Sequence, residues 1–266
     1  MRKNNEDSFL GLQFDAQEIQ FLGKLGDATT EHADYVFAVS DGMGGAMAGE
    51  FASKIAVDKI AHLLPRAYKQ TAQGLDAGVD DVLGELFEQI HRALIFLGNS
   101  YEECQGMGAT LSLCWFTPAW MFWAHVGDSR IYYLSGRDGG LRQVTHDDTY
   151  VGWLFRQRQL NEREAKTHPR RNVLQKALGA GHQFIEPQVG AVAIERGDIF
   201  LLCTDGVTDG LYDATILQLL RDPDAREAAV NPAMRIVQAG LERSGRDNTT
   251  ALVVEVAGCG GESAQH

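Results

Sequence analysis

Tyr35-Val36-Phe37-Ala38-Val39-Ser40-Asp41-Gly42-Met43-Gly44-Gly45 gives the first firm structural signal in this chain. Five apolar, mostly β-favouring residues read as a buried strand, and the strand runs straight into an acid and then into glycine. Three glycines within positions 42–45 permit positive φ and a close approach of the main chain to a ligand, so a carbonyl there can itself become a donor. The same arrangement returns downstream. Residues 199–203 run into Asp205-Gly206. Residues 109–116 and 121–126 flank Thr117-Pro118 as a hairpin that ends in Gly127-Asp128, with residues 131–134 as the next strand. Residues 249–256 follow Arg246-Asp247-Asn248 and close the folded part.

Helical spacing fills the gaps between these strands. Across residues 49–64, Phe51, Ile55, Ile60 and Leu63 fall on one stripe. Across 79–97, Val82, Leu86, Phe87, Ile90, Leu94 and Leu97 keep the 3, 4, 7 pattern. Asp213 reads as the N-cap of a helix through Leu220, stopped by Pro223, and residues 224–241 read as one further amphipathic helix. Hairpin-linked strands with helices between them predict an α+β chain of antiparallel sheets with helices on the outer faces.

Composition narrows the function classes. The chain has 266 residues, 44% hydrophobic, and a net charge of −12. That acidity disfavours nucleic acid and anionic membrane as partners and favours cations. The longest apolar stretch, 119–126, is only strand-length and contains His125, so no bilayer span is expected. Met1-Arg2-Lys3-Asn4-Asn5-Glu6-Asp7 has no apolar run after its basic pair, so no signal peptide is expected. The four cysteines, Cys104, Cys114, Cys203 and Cys259, have no metal or CxxC spacing and read as reduced thiols, which predicts a cytoplasmic protein. A monomer is expected, with residues 258–266 as a disordered tail.

Any one Asp-Gly pair is most simply a turn. Four aspartates at strand ends form a set with a different physics: carboxylates gathered at one sheet edge repel, and a divalent cation relieves that repulsion. Carboxylate, carbonyl and water are hard donors suited to Mg2+ or Mn2+, and no His/Cys set favours zinc. His146 and His168 read as surface residues. A phosphate loop is the rival reading of 41–45, but the Lys-Ser/Thr of a P-loop and the dinucleotide glycine spacing are both missing.

Six segments occur in order: 2–7 (Arg-Lys-Asn-Asn-Glu-Asp), 40–45 (Ser-Asp-Gly-Met-Gly-Gly), 108–110 (Gly-Ala-Thr), 126–130 (Val-Gly-Asp-Ser-Arg), 203–209 (Cys-Thr-Asp-Gly-Val-Thr-Asp) and 245–250 (Gly-Arg-Asp-Asn-Thr-Thr). Together they resemble the successive motifs of the type 2C, or PPM, metal-dependent serine/threonine protein phosphatases, and methionine at 43 resembles the bacterial branch. The resemblance implies a β-sandwich of two antiparallel sheets flanked by helices, a four-layer αββα domain over residues 1–257. It also implies a metal cleft at one end and a flap at about 149–171. It implies a hydroxide bridging two Mn2+ or Mg2+ ions that attacks phosphorus in line on phosphoserine or phosphothreonine, reversing a partner Ser/Thr kinase. By the same resemblance Asp41 bridges the ions, the Gly42 carbonyl binds one, and Asp205 and Asp247 complete the other. Glu6 and Asp7 act through water, Asp128 and Asp209 hold a third ion, Asn248 orients Asp247, and Arg2 grips the phosphate.

Three positions depart from the family pattern. Arg2 has no strand before it in this sequence. Asp148 stands where members often have histidine, so its flap contacts are open. Met43 replaces a histidine proposed as general acid, leaving water or a flap group to protonate the departing oxygen. Two other readings stay open: a two-metal hydrolase of small phosphomonoesters, separable by nucleotide against phosphopeptide turnover, and a non-catalytic phosphoprotein-binding module, separable by metal-dependent hydrolysis of p-nitrophenyl phosphate.

Overall fold

Period-two burial builds the strands. In β1 (Asp7–Phe14), Leu10, Leu12 and Phe14 are buried and alternate with more exposed neighbours. A computed structural model of the chain describes residues 4–15, 18–72, 78–182 and 184–258. After β1 come β2 (Ile19–Phe21), β3 (Asp34–Met43), α1 (Ala46–Ala72), α2 (Val79–Ser100), β4 (Gly108–Ala109), β5 (Leu111–Phe116), β6 (Trp120–Val126), β7 (Arg130–Leu134) and β8 (Leu141–Gln143). Then follow α3 (Tyr150–Arg156), α4 (Glu162–Thr167), β9 (Leu178–Gly179), β10 (Gln188–Ala193), β11 (Ile199–Cys203), α5 (Asp205–Gly210), α6 (Asp213–Arg221), α7 (Pro232–Arg243) and β12 (Ala251–Glu255).

The strands form two antiparallel sheets. One has the order β10-β6-β5-β3-β1-β2, with β4 and β9 continuing from β3; the other has the order β12-β11-β7-β8. Alternation along each strand then sorts the side chains into three apolar layers. Leu12, Val36, Leu113 and Ala124 from the first sheet pack with Ile60, Leu64, Phe87 and Ile90 of α1 and α2. Between the sheets, Tyr35, Val39, Cys114 and Phe116 meet Ile131, Tyr133, Phe200 and Leu202. Outside the second sheet, Tyr132, Leu134, Leu201 and Cys203 lie under Val207, Leu211, Ile216, Leu219 and Ile236 of α5, α6 and α7. The order helix, sheet, sheet, helix is the αββα architecture. At its centre Phe200 meets Phe116 edge-on and Tyr133 stacked, each at 5.2 Å between centroids. Each such buried aromatic contributes about 1.5–3 kcal/mol relative to exposure.

Several local expectations differ from what is observed. Asp213 is the first residue of α6, not its cap; its carboxylate accepts the Tyr132 hydroxyl at 2.8 Å. The single helix expected over 224–241 breaks before Pro232, whose missing N–H suits a first helical position, while Asn231 caps α7 through the amides of Ala233 and Met234. The helix expected over 49–64 starts at Ala46 and runs to Ala72. Strands β1, β2, β8, β9 and β10 are additional to those read from the sequence; β10 is an edge strand with a half-exposed pattern and a central Gly190, which mutes its apolar signal. Among the described residues no helix is long and apolar enough to cross a membrane. Arg2 and residues 259–266, with Cys259, lie outside the described residues.

Candidate active site

Strand register brings the acids together. In the first sheet Asp7 lies directly opposite Asp41. In the second, Cys203 pairs with both Arg130 and Ala251, so Asp205, Asp128 and Asp247 emerge at one end of adjacent strands. Two glycines make the approach possible. A Cβ on Gly42 would lie 1.9 Å from the Gly49 carbonyl oxygen, and one on Gly206 would lie 1.8 Å from that of Asn248. The residue after each of Asp41 and Asp205 therefore has to be glycine for the backbones to pass.

Hydroxyl groups hold the frame. The Asp41 amide donates to Thr110 Oγ1 at 3.0 Å, the Thr110 amide returns to the Asp41 carbonyl at 2.8 Å, and Thr110 Oγ1 meets Ser129 Oγ at 2.7 Å. Asp7 is buried between the sheets, and its Oδ2 accepts from Thr204 Oγ1 at 2.8 Å and Thr250 Oγ1 at 2.7 Å. Glu6 meets the site through its main chain: its carbonyl accepts from the Gly42 amide at 3.0 Å and its amide donates to Asn248 Oδ1 at 3.0 Å. Asn248 Nδ2 donates to the Asn4 carbonyl at 3.2 Å. The Asn248 side chain thus ties the N-terminal segment down, while it is the Asn248 amide that donates to Asp247 Oδ1, at 2.8 Å.

The turn carrying Asp128 is clamped from both sides. The buried His125 bonds the Gly127 carbonyl through Nε2 at 3.0 Å and Ser112 Oγ through Nδ1 at 2.8 Å. Asp148 Oδ2 accepts from the Gly127 amide at 3.1 Å, and the Asp148 amide donates to the Gly127 carbonyl at 2.7 Å. An aspartate at 148 therefore makes a structural clamp of its own. Next to it, Arg130 holds Asp147 in a fork, Nε to Oδ1 at 2.8 Å and Nη2 to Oδ2 at 2.7 Å. Burial acts to raise the Asp147 carboxyl, but Arg130 outweighs it and holds the group below its ordinary value.

Helix α4, in the segment expected to form the flap, is seated on α5 and α6, with α3 packed against it. Lys166 Nζ donates to the carbonyls of Thr208 and Leu211 and lies 4.4 Å from the Tyr212 ring centroid. Glu162 Oε1 accepts from the Asp213 amide at 3.0 Å. Asp209 is paired with the flap: Arg171 Nε and Nη2 reach its Oδ1 and Oδ2 at 3.4 and 3.3 Å. His168 and His146 are not among the acids at the strand ends; His168 lies beside the Tyr150 ring, at 6.5 Å between centroids.

The electrostatics ask for a cation. Burial first, then the charges of Asp7, Asp128 and Asp247, push the Asp41 carboxyl well above the carboxylate range. Burial, then Asp128, Asp41, Asp209 and Asp247, do the same to Asp205. Asp128 is pushed up to about 7 by burial and by Asp147, with Arg130 opposing. Asp205 Oδ1 is buried without a hydrogen-bond partner among the described residues, an acceptor that a hard ion fits. Among the described residues, no three acidic, histidine or cysteine side chains close into a tight cage. This open, all-oxygen set suits Mg2+ or Mn2+, ions that keep bound water, and not zinc. Residues not singled out from the sequence, Thr110, Thr204, Thr250 and Ser129, lie inside the quoted motifs; Thr204, Ser129 and Thr250 stand within three residues of Asp205, Asp128 and Asp247, which is the available signal.

The comparisons agree with this geometry. The sequence profile described as Protein phosphatase 2C matches residues 24–243. The serine/threonine protein phosphatase PstP of Mycobacterium tuberculosis is 35% identical over 229 residues, covering 83% of this chain; the chain spans 40% of that relative's length. The serine/threonine phosphatase stp of Listeria innocua is 31% identical over 221 residues, 83% of this chain and 84% of the relative. The crystal structure of the PstP catalytic domain in complex with two manganese ions superposes with a TM-score of 0.70 at 30% identity, covering 95% of this chain and 92% of that one. Sequence profile, relatives and fold converge, and the chain belongs to the protein phosphatase 2C family, alongside its bacterial serine/threonine phosphatases.

Proposed function

We propose that this chain is a metal-dependent protein phosphatase that hydrolyses phosphoserine and phosphothreonine on proteins, opposing a Ser/Thr kinase, in the cytoplasm. The observation that carries the reading is the convergence of Asp41, Asp128, Asp205 and Asp247 at the joined strand ends, where burial first and then repulsion from the neighbouring acids make Asp41 and Asp205 resist ionisation. The manganese-bearing PstP structure supports a two-ion requirement.

Asp41, the Gly42 carbonyl, Asp205 and Asp247 would hold two Mn2+ or Mg2+ ions, with Glu6 and Asp7 acting through water and Asp128 and Asp209 available to a third. Bound there, the ions supply an acidified water and positive charge against the phosphate oxygens. The chain's own residues do the rest. Thr110 fixes the main chain of Asp41, and Thr204 and Thr250 fix the Asp7 side chain by donating to its Oδ2. Arg2 would bind two phosphate oxygens through its planar fork. Asn248 secures the segment that leads to it. Met43 carries no transferable proton, so the leaving serine oxygen takes its proton from water or from a flap group.

The test is hydrolysis of p-nitrophenyl phosphate and of a phosphothreonine peptide with and without Mn2+. Activity should vanish in EDTA, return with Mn2+, and fall at least 100-fold in Asp41→Ala, Asp205→Ala and Asp247→Ala. Full turnover in EDTA would end the metal reading, and a preference for nucleotides over phosphopeptides would favour the small-molecule hydrolase.

A further inference from the structure

The flap is a cationic surface on an acidic protein. Residues 149–171 hold six Arg or Lys and two Glu, on a chain of net charge −12. Arg156, Arg158, Arg163 and Arg170 are exposed. Among the described residues none of these four guanidiniums is in an ion pair, although acids abound elsewhere. The two flap glutamates are already engaged: Glu164 Oε2 accepts from the Asn161 amide at 2.8 Å, and Glu162 from the Asp213 amide. The positive face is thus left without internal neutralisation.

It is also partly apolar and shaped. Trp153 and Phe155 are each 43% exposed. Tyr150 stacks with Trp153 at 6.2 Å between centroids, and Arg170 lies 4.9 Å from the Tyr150 ring centroid. Phe155, Arg156, Arg158 and Gln159 line a shallow cleft of about 580 Å³. Aromatic faces beside guanidiniums suit an extended acidic peptide, whose backbone lies on the rings while its carboxylates meet the arginines.

The surface begins at the site. Arg171, at the flap's end, contacts Asp209, whose charge acts on Asp205 and Asp128. Helix α3 has seven residues, a length of about 10 Å at 1.5 Å per residue. An extended peptide covers about 3.3 Å per residue. A peptide segment of about three residues therefore matches the length of α3.

We infer that the flap is a docking surface for acidic segments of phosphoprotein substrates, so that the enzyme selects phosphoserine or phosphothreonine flanked by Asp and Glu. This rests on the phosphatase reading above.

The experiment measures kcat/KM with Mn2+ for two phosphothreonine peptides, identical except that three flanking positions are Asp/Glu or Gln/Ser, with p-nitrophenyl phosphate as a third substrate. Each exposed ion pair contributes about twofold, so the acidic peptide should lead by about tenfold, mostly in KM. The ratio should fall toward one in Arg158→Gln/Arg163→Gln/Arg170→Gln and on raising salt from 0.05 to 0.5 M. Turnover with a ratio near one in the wild type overturns the inference alone. Inactivity on all three substrates overturns the phosphatase reading and this inference with it. A ratio near one together with arginine-dependent binding to phosphatidylserine vesicles overturns the peptide assignment in favour of a membrane surface.

Discussion

Replacing Asp128 by asparagine removes one negative charge while keeping the shape of the side chain. Asp128 is held up at about 7 against an ordinary 3.8, a difference of about 3 units, or about 4 kcal/mol between folded and unfolded chains once both are ionised. The sign follows from proton binding. The folded chain holds this proton more tightly, so the group's contribution is fully present below about pH 4. It falls by about 1.4 kcal/mol per unit as pH rises toward 7, and is flat above. In EDTA, Asp128→Asn should therefore match the wild type near pH 4 and exceed it by up to about 4 kcal/mol at pH 8. It should also ease Asp205, on which Asp128 is the largest neighbouring charge. Urea unfolding between pH 4.5 and 8 reads this directly. With saturating Mn2+ the advantage should shrink, because the wild type gains stability by binding the ion and the variant has lost an acid from the cluster. Equal stability at pH 8 in EDTA, or parallel pH slopes for the two proteins, would refute the claim that burial and neighbouring charge hold the Asp128 carboxyl up.

Gly206→Ala should cost more than 3 kcal/mol by thermal unfolding and abolish turnover, because the new Cβ would meet the Asn248 carbonyl oxygen at 1.8 Å. Gly84→Ala, inside α2 with nothing within 4 Å, should instead stabilise by about 0.5–1 kcal/mol. Alkylation with iodoacetamide should leave phosphatase activity intact: Cys114 and Cys203 are buried, and burial pushes the Cys203 thiol up to about 12. Lys166→Met keeps the aliphatic stem but deletes the bonds to the Thr208 and Leu211 carbonyls. Amide exchange across residues 150–167 should then quicken at least tenfold, and an unchanged rate would mean the flap is seated by other contacts.

Legibility in the sequence followed burial. The inner strands β3, β6 and β11 are largely apolar runs, and the acid or glycine at the end of each marks the site directly. Strand β1 was missed because Asp7, Ser8, Gly11 and Gln13 interrupt its apolar residues; its alternation becomes evident only beside β3. The break before Pro232 was readable from the Asn-Pro pair and was overridden by the surrounding amphipathic pattern. What the acids do individually was less legible. Nothing in spacing says that Asp7 is bonded by Thr204 and Thr250, or that Asp209 faces Arg171, since those partners lie 38 to 243 residues away.

The double bond to Asp7 has a consequence for how the protein is made. Residue 7 is joined to residues 204 and 250, contacts separated by 197 and 243 positions. A ribosome-bound chain can fold β1 against β3 early, since that pairing is comparatively local. The second sheet begins at Arg130 and is completed only once β12 (Ala251–Glu255) has emerged. Contacts of such span form late and slowly. Until Thr250 has been synthesised and docked, Asp7 lacks this bond between the sheets, so the full constellation of Asp7, Asp41, Asp128, Asp205 and Asp247 assembles only when nearly the whole fold is in place.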